Sequence, residues 1–187
     1  MRKLKLQVQI TIDGFVAGLN GEQDFVWAGG PDEAGFKKVI ELAESSDTIL
    51  LGRKMTREFV DYWENTVDNQ LDSPMQPLAQ LMVNMRKIVF SSIETDIKGR
   101  NLEVENGDLV ATVNALKSQP GKDILVYGGA GFVSSLISLN LIDEYYLFVC
   151  PDAIGEGLSI FKEKKSLKLE SSTAYKHGKV LNKYIPV

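Results

Sequence analysis

The sequence predicts an α/β fold with a mixed, mostly parallel central sheet flanked by helices and an antiparallel hairpin at its C-terminal end. Three observations predict it. Short apolar runs, Thr48-Ile-Leu-Leu51, Lys87-Ile-Val-Phe90 and Ile124-Leu-Val126, alternate with segments of helical period, the pattern of buried parallel strands joined by helices. Each run stops at small or hydroxyl residues: Gly52, Ser91-Ser92 and Gly128-Gly129. Finally, the stretches from Ser166 to Lys176 and from Lys179 to Tyr184 flank a His177-Gly178 turn, as strands of a hairpin do. At 187 residues the chain is read as one domain, 1–187, with a sizeable core.

From the start, Leu4, Leu6, Val8, Ile10 and Ile12 alternate with Lys5, Gln7, Gln9 and Thr11, a period of two that predicts a strand with one apolar and one polar face. Asp13-Gly14 turns the chain into a glycine-studded segment carrying Phe15, Phe25 and Trp27, which is either a binding loop or an irregular connection. Pro31-Asp32 opens a helix with Phe36, Val39, Ile40 and Ala43 at helical spacing, and Ser45-Ser46-Asp47 closes it. After the strand that ends at Gly52, Arg53 and Lys54 begin a helix. Two cations there oppose the helix dipole, which points to an anion nearby.

Residues 61–77 are polar and read as a loop, followed by a helix from Leu78 to Met85 and the strand from Lys87 to Phe90. A helix from Thr112 to Lys117 precedes Pro120-Gly121 and the strand at 124–126. Gly128, Gly129 and Gly131 then lead into a helix with Phe132, Leu136, Ile137 and Leu139 on one side and Ser134, Ser135 and Ser138 on the other. A strand feeding a helix through glycines suits a phosphate on the free N–H groups; a tight turn without a ligand fits the same residues. Tyr145 to Cys150 forms a further strand, stopped by Pro151.

Composition narrows the function. A net charge of −4 argues against nucleic acid as a partner, and the cluster Lys162, Lys164, Lys165 reads as a solvated loop or strand edge. One cysteine, Cys150, excludes an internal disulfide and a multi-cysteine metal site, and its place after an apolar run predicts a buried, inert thiol. His177, the single histidine, sits in a turn and reads as a surface residue. No metal ligand set is expected. The N-terminus alternates charge with apolar residues where a signal peptide would have a continuous apolar core, and no run reaches membrane-spanning length; the expected compartment is the cytoplasm, with no membrane partner.

Seven segments in order, Asp13-Gly-Phe-Val-Ala-Gly18, Thr48-Ile-Leu-Leu-Gly-Arg53, Tyr62-Trp63, Val89-Phe-Ser-Ser92, Ile124-Leu-Val-Tyr-Gly-Gly129, Leu141-Ile-Asp-Glu-Tyr145 and Pro151-Asp-Ala-Ile-Gly-Glu-Gly157, resemble the three-layer dihydrofolate reductase fold. More closely, they resemble the small bacterial proteins grouped with the reductase domain of the bifunctional deaminase-reductase of riboflavin biosynthesis. The resemblance implies an NADPH-dependent oxidoreductase that transfers hydride to a C=N or C=O bond of a small heterocycle, a pyrimidinone such as 5-amino-6-(5-phosphoribosylamino)uracil or a pterin-like compound. A non-catalytic NADPH-binding or sensor protein of the same fold is the alternative.

By the same resemblance Tyr127, Gly128, Gly129, Ala130, Gly131 and Phe132 surround the pyrophosphate. Gly52, Arg53, Lys54, Met55 and Thr56 take the phosphates and the adenosine side, Ser91 and Ser92 the ribose 2′-phosphate, and Ala17 and Gly18 the nicotinamide. Gln9, Phe25 and Trp27 are the candidate substrate contacts. Asp32 falls near the acid that hydrogen-bonds the pterin in dihydrofolate reductases, and a helix cap is its other role. Two departures stand out: Phe148 replaces the threonine that partners the acid, and Met55 the threonine after Gly-Arg, leaving Thr56 one position late. The resemblance also implies a homodimer.

Overall fold

The computed structural model describes residues 1–27 and 32–187. Its elements are β1 (Leu4–Thr11), α1 (Glu33–Glu44), β2 (Ser46–Gly52), α2 (Arg53–Asn69), α3 (Gln76–Asn84), β3 (Arg86–Phe90), β4 (Leu102–Glu105), α4 (Leu109–Ser118), β5 (Asp123–Gly128), α5 (Ala130–Ser138), β6 (Glu144–Cys150), β7 (Leu167–Ala174) and β8 (Val180–Pro186). Strand pairing is mixed and mostly parallel, as predicted, and the antiparallel pairs are the C-terminal ones. Contacts divide the chain into two compact units: Met1–Arg2 with Lys38–Gly129, and Lys3–Lys37 with Ala130–Val187.

In the first unit the strands lie parallel in the order β4-β3-β2-β5. Ile49, Leu50, Leu51, Val89, Ile124, Leu125 and Val126 are completely buried, which is why these strands read as unbroken apolar runs. The polar segment predicted as a loop at 61–77 is mostly helix instead. α2 continues to Asn69, because Thr56, Phe59, Val60, Trp63 and Thr66 recur at helical spacing and are buried. The acids and amides between them face outward and hid the period. Strand β4, Leu102-Glu-Val-Glu105, was not legible in the sequence: four residues with two charges make a short edge strand.

Lys87 in β3 is 2% exposed, and its ammonium donates to the carbonyls of Met82, Val83 and Met85 at 2.9, 2.8 and 2.9 Å. Those carbonyls lie at the end of α3, where the last turn lacks intrahelical donors and the dipole favours a cation. Burial pushes the Lys87 ammonium down to about 8, with Glu64 opposing the shift.

In the second unit β1 pairs parallel with β6, and β8 joins β6 to β7 in antiparallel register. The predicted polar face of β1 is not a solvated one: Lys5 and Gln7 are 7% and 3% exposed, and Ile12, expected on the apolar face, lies beyond the strand and is 63% exposed. The faces of α5 also differ from expectation. Val133, Ser134, Leu136 and Ile137 are buried, whereas Leu139 is exposed, so the buried stripe is set one residue away from the predicted one.

The buried Glu144 carboxylate accepts hydrogen bonds from Lys3 at 2.5 Å and the Tyr146 hydroxyl at 2.8 Å, and pairs with Lys183 at 3.3 Å. Desolvation raises its pKa, but these three donors outweigh it and hold the carboxyl at about 2. His177, at φ 64, makes the exposed turn of the β7–β8 hairpin, closed by the Tyr175 N–H donating to the Lys179 carbonyl at 2.7 Å. Cys150 is fully buried and desolvation pushes its thiol up, as suits an inert side chain.

Candidate functional site

Parallel register places the carboxyl ends of three strands of the first unit side by side. Gly52 at the end of β2 lies opposite Phe90 at the end of β3, and Leu51 lies opposite Gly128 at the end of β5. The residues that follow, Arg53, Ser91-Ser92 and Gly129, therefore emerge at one edge of this sheet with β2 in the middle. Ligands of open α/β sheets bind at such edges.

Each part of this edge has its own local cause. Thr56, fully buried, donates its hydroxyl to the Gly52 carbonyl at 3.1 Å and so fixes the corner between β2 and α2. Gly128 packs closely on α2: a Cβ there would lie 3.1 Å from the Met55 sulfur, which would have to shift by a few tenths of an ångström. Gly129 turns the chain at φ 79, a conformation open to glycine. Directly after it α5 begins at Ala130, with Ala130 and Phe132 half-buried, Gly131 exposed, and nothing within 4 Å of a Gly131 Cβ.

The Tyr127 ring meets Phe59 edge-on at 6.1 Å, while its hydroxyl is buried with no hydrogen-bond partner among the described residues. Burial raises the phenol pKa, so this group is a neutral donor at ordinary pH. Lys54 is exposed and has no acceptor among the described residues. Ser92 is exposed, and Ser91 is buried with its hydroxyl accepting from the backbone N–H groups of Ile93 and Glu94 at 3.3 and 2.8 Å. That turn carries Glu94 to the Arg53 guanidinium, 3.1 Å away. The anion expected beside Arg53 is thus a side chain of the protein. Glu94 went unrecognised in the sequence, although a serine three positions before an acid is the pattern of such a turn.

The first loop belongs to the second unit. The Asp13 carboxylate accepts from the Thr11 hydroxyl at 2.5 Å and from the N–H groups of Gly155 and Ile154 at 2.7 and 2.9 Å, with the Thr11 and Gly155 bonds as the main causes of its lowered pKa. Val16 N–H donates to the Leu158 carbonyl at 2.9 Å, and Leu158 N–H to that of Ala17 at 2.8 Å. Gly157 lies so close beneath this bridge that any Cβ would strike the Ala17 carbonyl. Gly18 N–H donates to the Glu22 carbonyl at 2.8 Å.

Asp32 performs the capping role: its Oδ1 accepts from the Gly35 N–H at 3.1 Å at the start of α1. Its Oδ2 is buried without a partner among the described residues, and a Cβ on Gly35 would approach that oxygen to 2.7 Å. Pro31, named with it as the helix opening, and Gly29 and Gly30 of the glycine segment lie outside the described residues. Gln9 is half-buried, its Oε1 accepting from the Cys150 thiol at 3.6 Å. Phe25 is buried at 7% and Trp27 is 66% exposed, so the two aromatic residues of one short turn differ in environment. Phe148, in place of the expected threonine, is 1% exposed and stacks on Tyr175 at 6.4 Å.

Among the described residues no helix is long and apolar enough to cross a membrane, and no group of three or more His, Cys, Asp or Glu is placed to hold a metal ion.

Comparison with known proteins agrees with the fold. The chain is 33% identical over 183 residues to YyaP of Bacillus subtilis, an uncharacterized protein, covering 96% of this chain and 92% of that one. Among solved structures, a protein of Shewanella sp. PV-4 provisionally assigned to riboflavin biosynthesis matches at a TM-score of 0.78 and 18% identity, over 100% of this chain and 99% of its own. The Thermotoga maritima diaminohydroxyphosphoribosylaminopyrimidine deaminase/5-amino-6-(5-phosphoribosylamino)uracil reductase matches at 0.70 and 19%, with this chain covered completely and 57% of that longer one. The profile of the RibD C-terminal domain matches residues 2–181, and the chain belongs to that family.

Proposed function

We propose that this protein is an NADPH-dependent reductase that delivers hydride to a C=N or C=O bond of a pyrimidinone or pterin-like heterocycle. The observation that carries the reading is the shared edge of β2, β3 and β5, where the strand ends bring Arg53, Ser91-Ser92 and the Gly128-Gly129 turn side by side. These groups fit a phosphorylated dinucleotide. Lys54 and Arg53 supply charge, Ser92 and the Tyr127 hydroxyl supply donors, and Gly128 and Gly129 let the backbone approach a phosphate closely. The glycine turn and the first residues of α5, Ala130, Gly131 and Phe132, would hold the pyrophosphate, and Ser91 and Ser92 would flank the 2′-phosphate. Ala17 and Gly18 are assigned to the nicotinamide by family resemblance.

Bound NADPH supplies the hydride, so the chain has to orient the reactants and handle one proton. Asp32 Oδ2, buried and without a donor among the described residues, would accept a hydrogen bond from an N–H of the heterocycle. The uracil named for the Thermotoga relative makes aminouracils the first substrates to try. A homodimer in the cytoplasm is part of the same proposal, supported by family resemblance.

The test is NADPH absorbance with a panel of aminouracils and pterins. Oxidation of NADPH by one of them supports the reading; absence of NADPH binding overturns it. Binding without turnover supports a second reading, a dinucleotide sensor. That reading is favoured by Asp32 serving as a helix cap and by the apolar ring of Phe148 where a hydroxyl was expected.

A further inference from the structure

The Arg53–Glu94 pair lies where the proposed site would receive the 2′-phosphate. Arg53 is the first residue of α2, directly after the strand end at Gly52, and Glu94 reaches it from the turn that follows β3. The backbone of that turn is held without the Glu94 side chain: Ser91 Oγ accepts from the Glu94 N–H at 2.8 Å, and the Asn106 amide donates to the carbonyls of both Ser91 and Glu94. Neither charged side chain is deeply buried, at 30% and 39% exposure, so the pair adds little stability and can open at low cost.

We infer that Glu94 is a specificity-determining residue, an internal carboxylate that competes with the cofactor's 2′-phosphate for Arg53 and thereby narrows the preference for NADPH over NADH. The inference rests on the proposed dinucleotide site. A phosphate arriving at Arg53 shares the guanidinium with the carboxylate or displaces it, and in either case meets that negative charge at short distance. NADH carries a hydroxyl at that position and meets no such repulsion. The preference for NADPH is therefore narrower in the wild-type protein than Arg53 alone would make it, and removing one negative charge widens it.

The experiment is calorimetric titration of the full chain and of Glu94→Gln, which keeps the size and the backbone bonds of the residue, with NADPH, NADH and adenosine 2′,5′-bisphosphate. The expected result is that Glu94→Gln binds NADPH and the bisphosphate about tenfold more tightly and NADH within about twofold of wild type. In an Arg53→Gln background the same substitution should give no gain, because the competition has lost its object. Unchanged or weaker NADPH binding by Glu94→Gln, with wild type binding normally, overturns the role of Glu94 and leaves the reductase reading standing. Failure of wild type to bind any of the three ligands overturns that reading and this inference with it.

Discussion

Asp13 and Gly155 are 142 positions apart in the chain and 2.7 Å apart in space, the Gly155 N–H donating to the Asp13 carboxylate. With the second bond from Ile154 and the backbone bridge between Ala17 and Leu158, the two loops are joined by carboxylate and backbone hydrogen bonds. Asp13→Asn keeps the size but removes the charge that makes these bonds strong. Amide exchange at Ile154, Gly155 and Leu158 should then accelerate by about tenfold, with exchange in β1 unchanged. Equal exchange in both proteins would show that the loops hold without the carboxylate.

Glu144 sets an acid limit. Its carboxyl falls from the ordinary 4.5 to about 2 in the folded protein, so the unfolded chain binds the proton more tightly. Its contribution is fully present above pH 4.5 and is lost as pH falls toward 2, about 3 kcal/mol in all. Urea unfolding between neutral pH and pH 3 should show wild type losing stability faster than Glu144→Gln, the two curves converging in acid. Parallel curves would remove Glu144 as the cause.

Lys87 acts in the same direction, in an alkaline window. Its ammonium is lowered from 10.5 to about 8, so between those values the unfolded state is the more protonated, and stability from this group rises with pH across that window. Lys87→Met abolishes the rise and leaves three buried carbonyls at the end of α3 without their donor. The loss at neutral pH should be about 2–4 kcal/mol, read from urea midpoints. A variant as stable as wild type would show that the helix end finds other donors.

Gly35→Ala separates the two roles of Asp32. The new Cβ would press on Oδ2, displacing the carboxylate, while alanine improves the helix by about 1 kcal/mol and offsets a weakened cap. Stability should stay within about 1 kcal/mol of wild type, and NADPH-dependent turnover of the substrate found in the panel should fall at least about tenfold. Full turnover with lowered stability would leave Asp32 as a cap alone.

The ends of β2, β3 and β5 were legible in the sequence because these buried parallel strands are continuous apolar runs that stop at Gly52, Ser91-Ser92 and Gly128-Gly129. The hairpin was legible from its His177-Gly178 turn. What the sequence concealed follows one pattern. The length of α2 was hidden because its solvent face outnumbers its buried stripe of Phe59, Val60, Trp63 and Thr66, and the second face of β1 because Lys5 and Gln7 are polar residues buried by neighbours far away in the chain.

By itself the sequence determined which segments are strands and helices at the strand ends, and therefore that Gly52-Arg53, Ser91-Ser92 and Gly128-Gly129 each stand at a carboxyl end. Only the tertiary structure decided what meets what: Glu94 on Arg53, 41 positions apart, and Gly155 on Asp13. Periodicity records how one segment divides its residues between core and water. The register between strands and the path of the intervening loops set the partners of a charged or hydrogen-bonding side chain, and no local pattern encodes them.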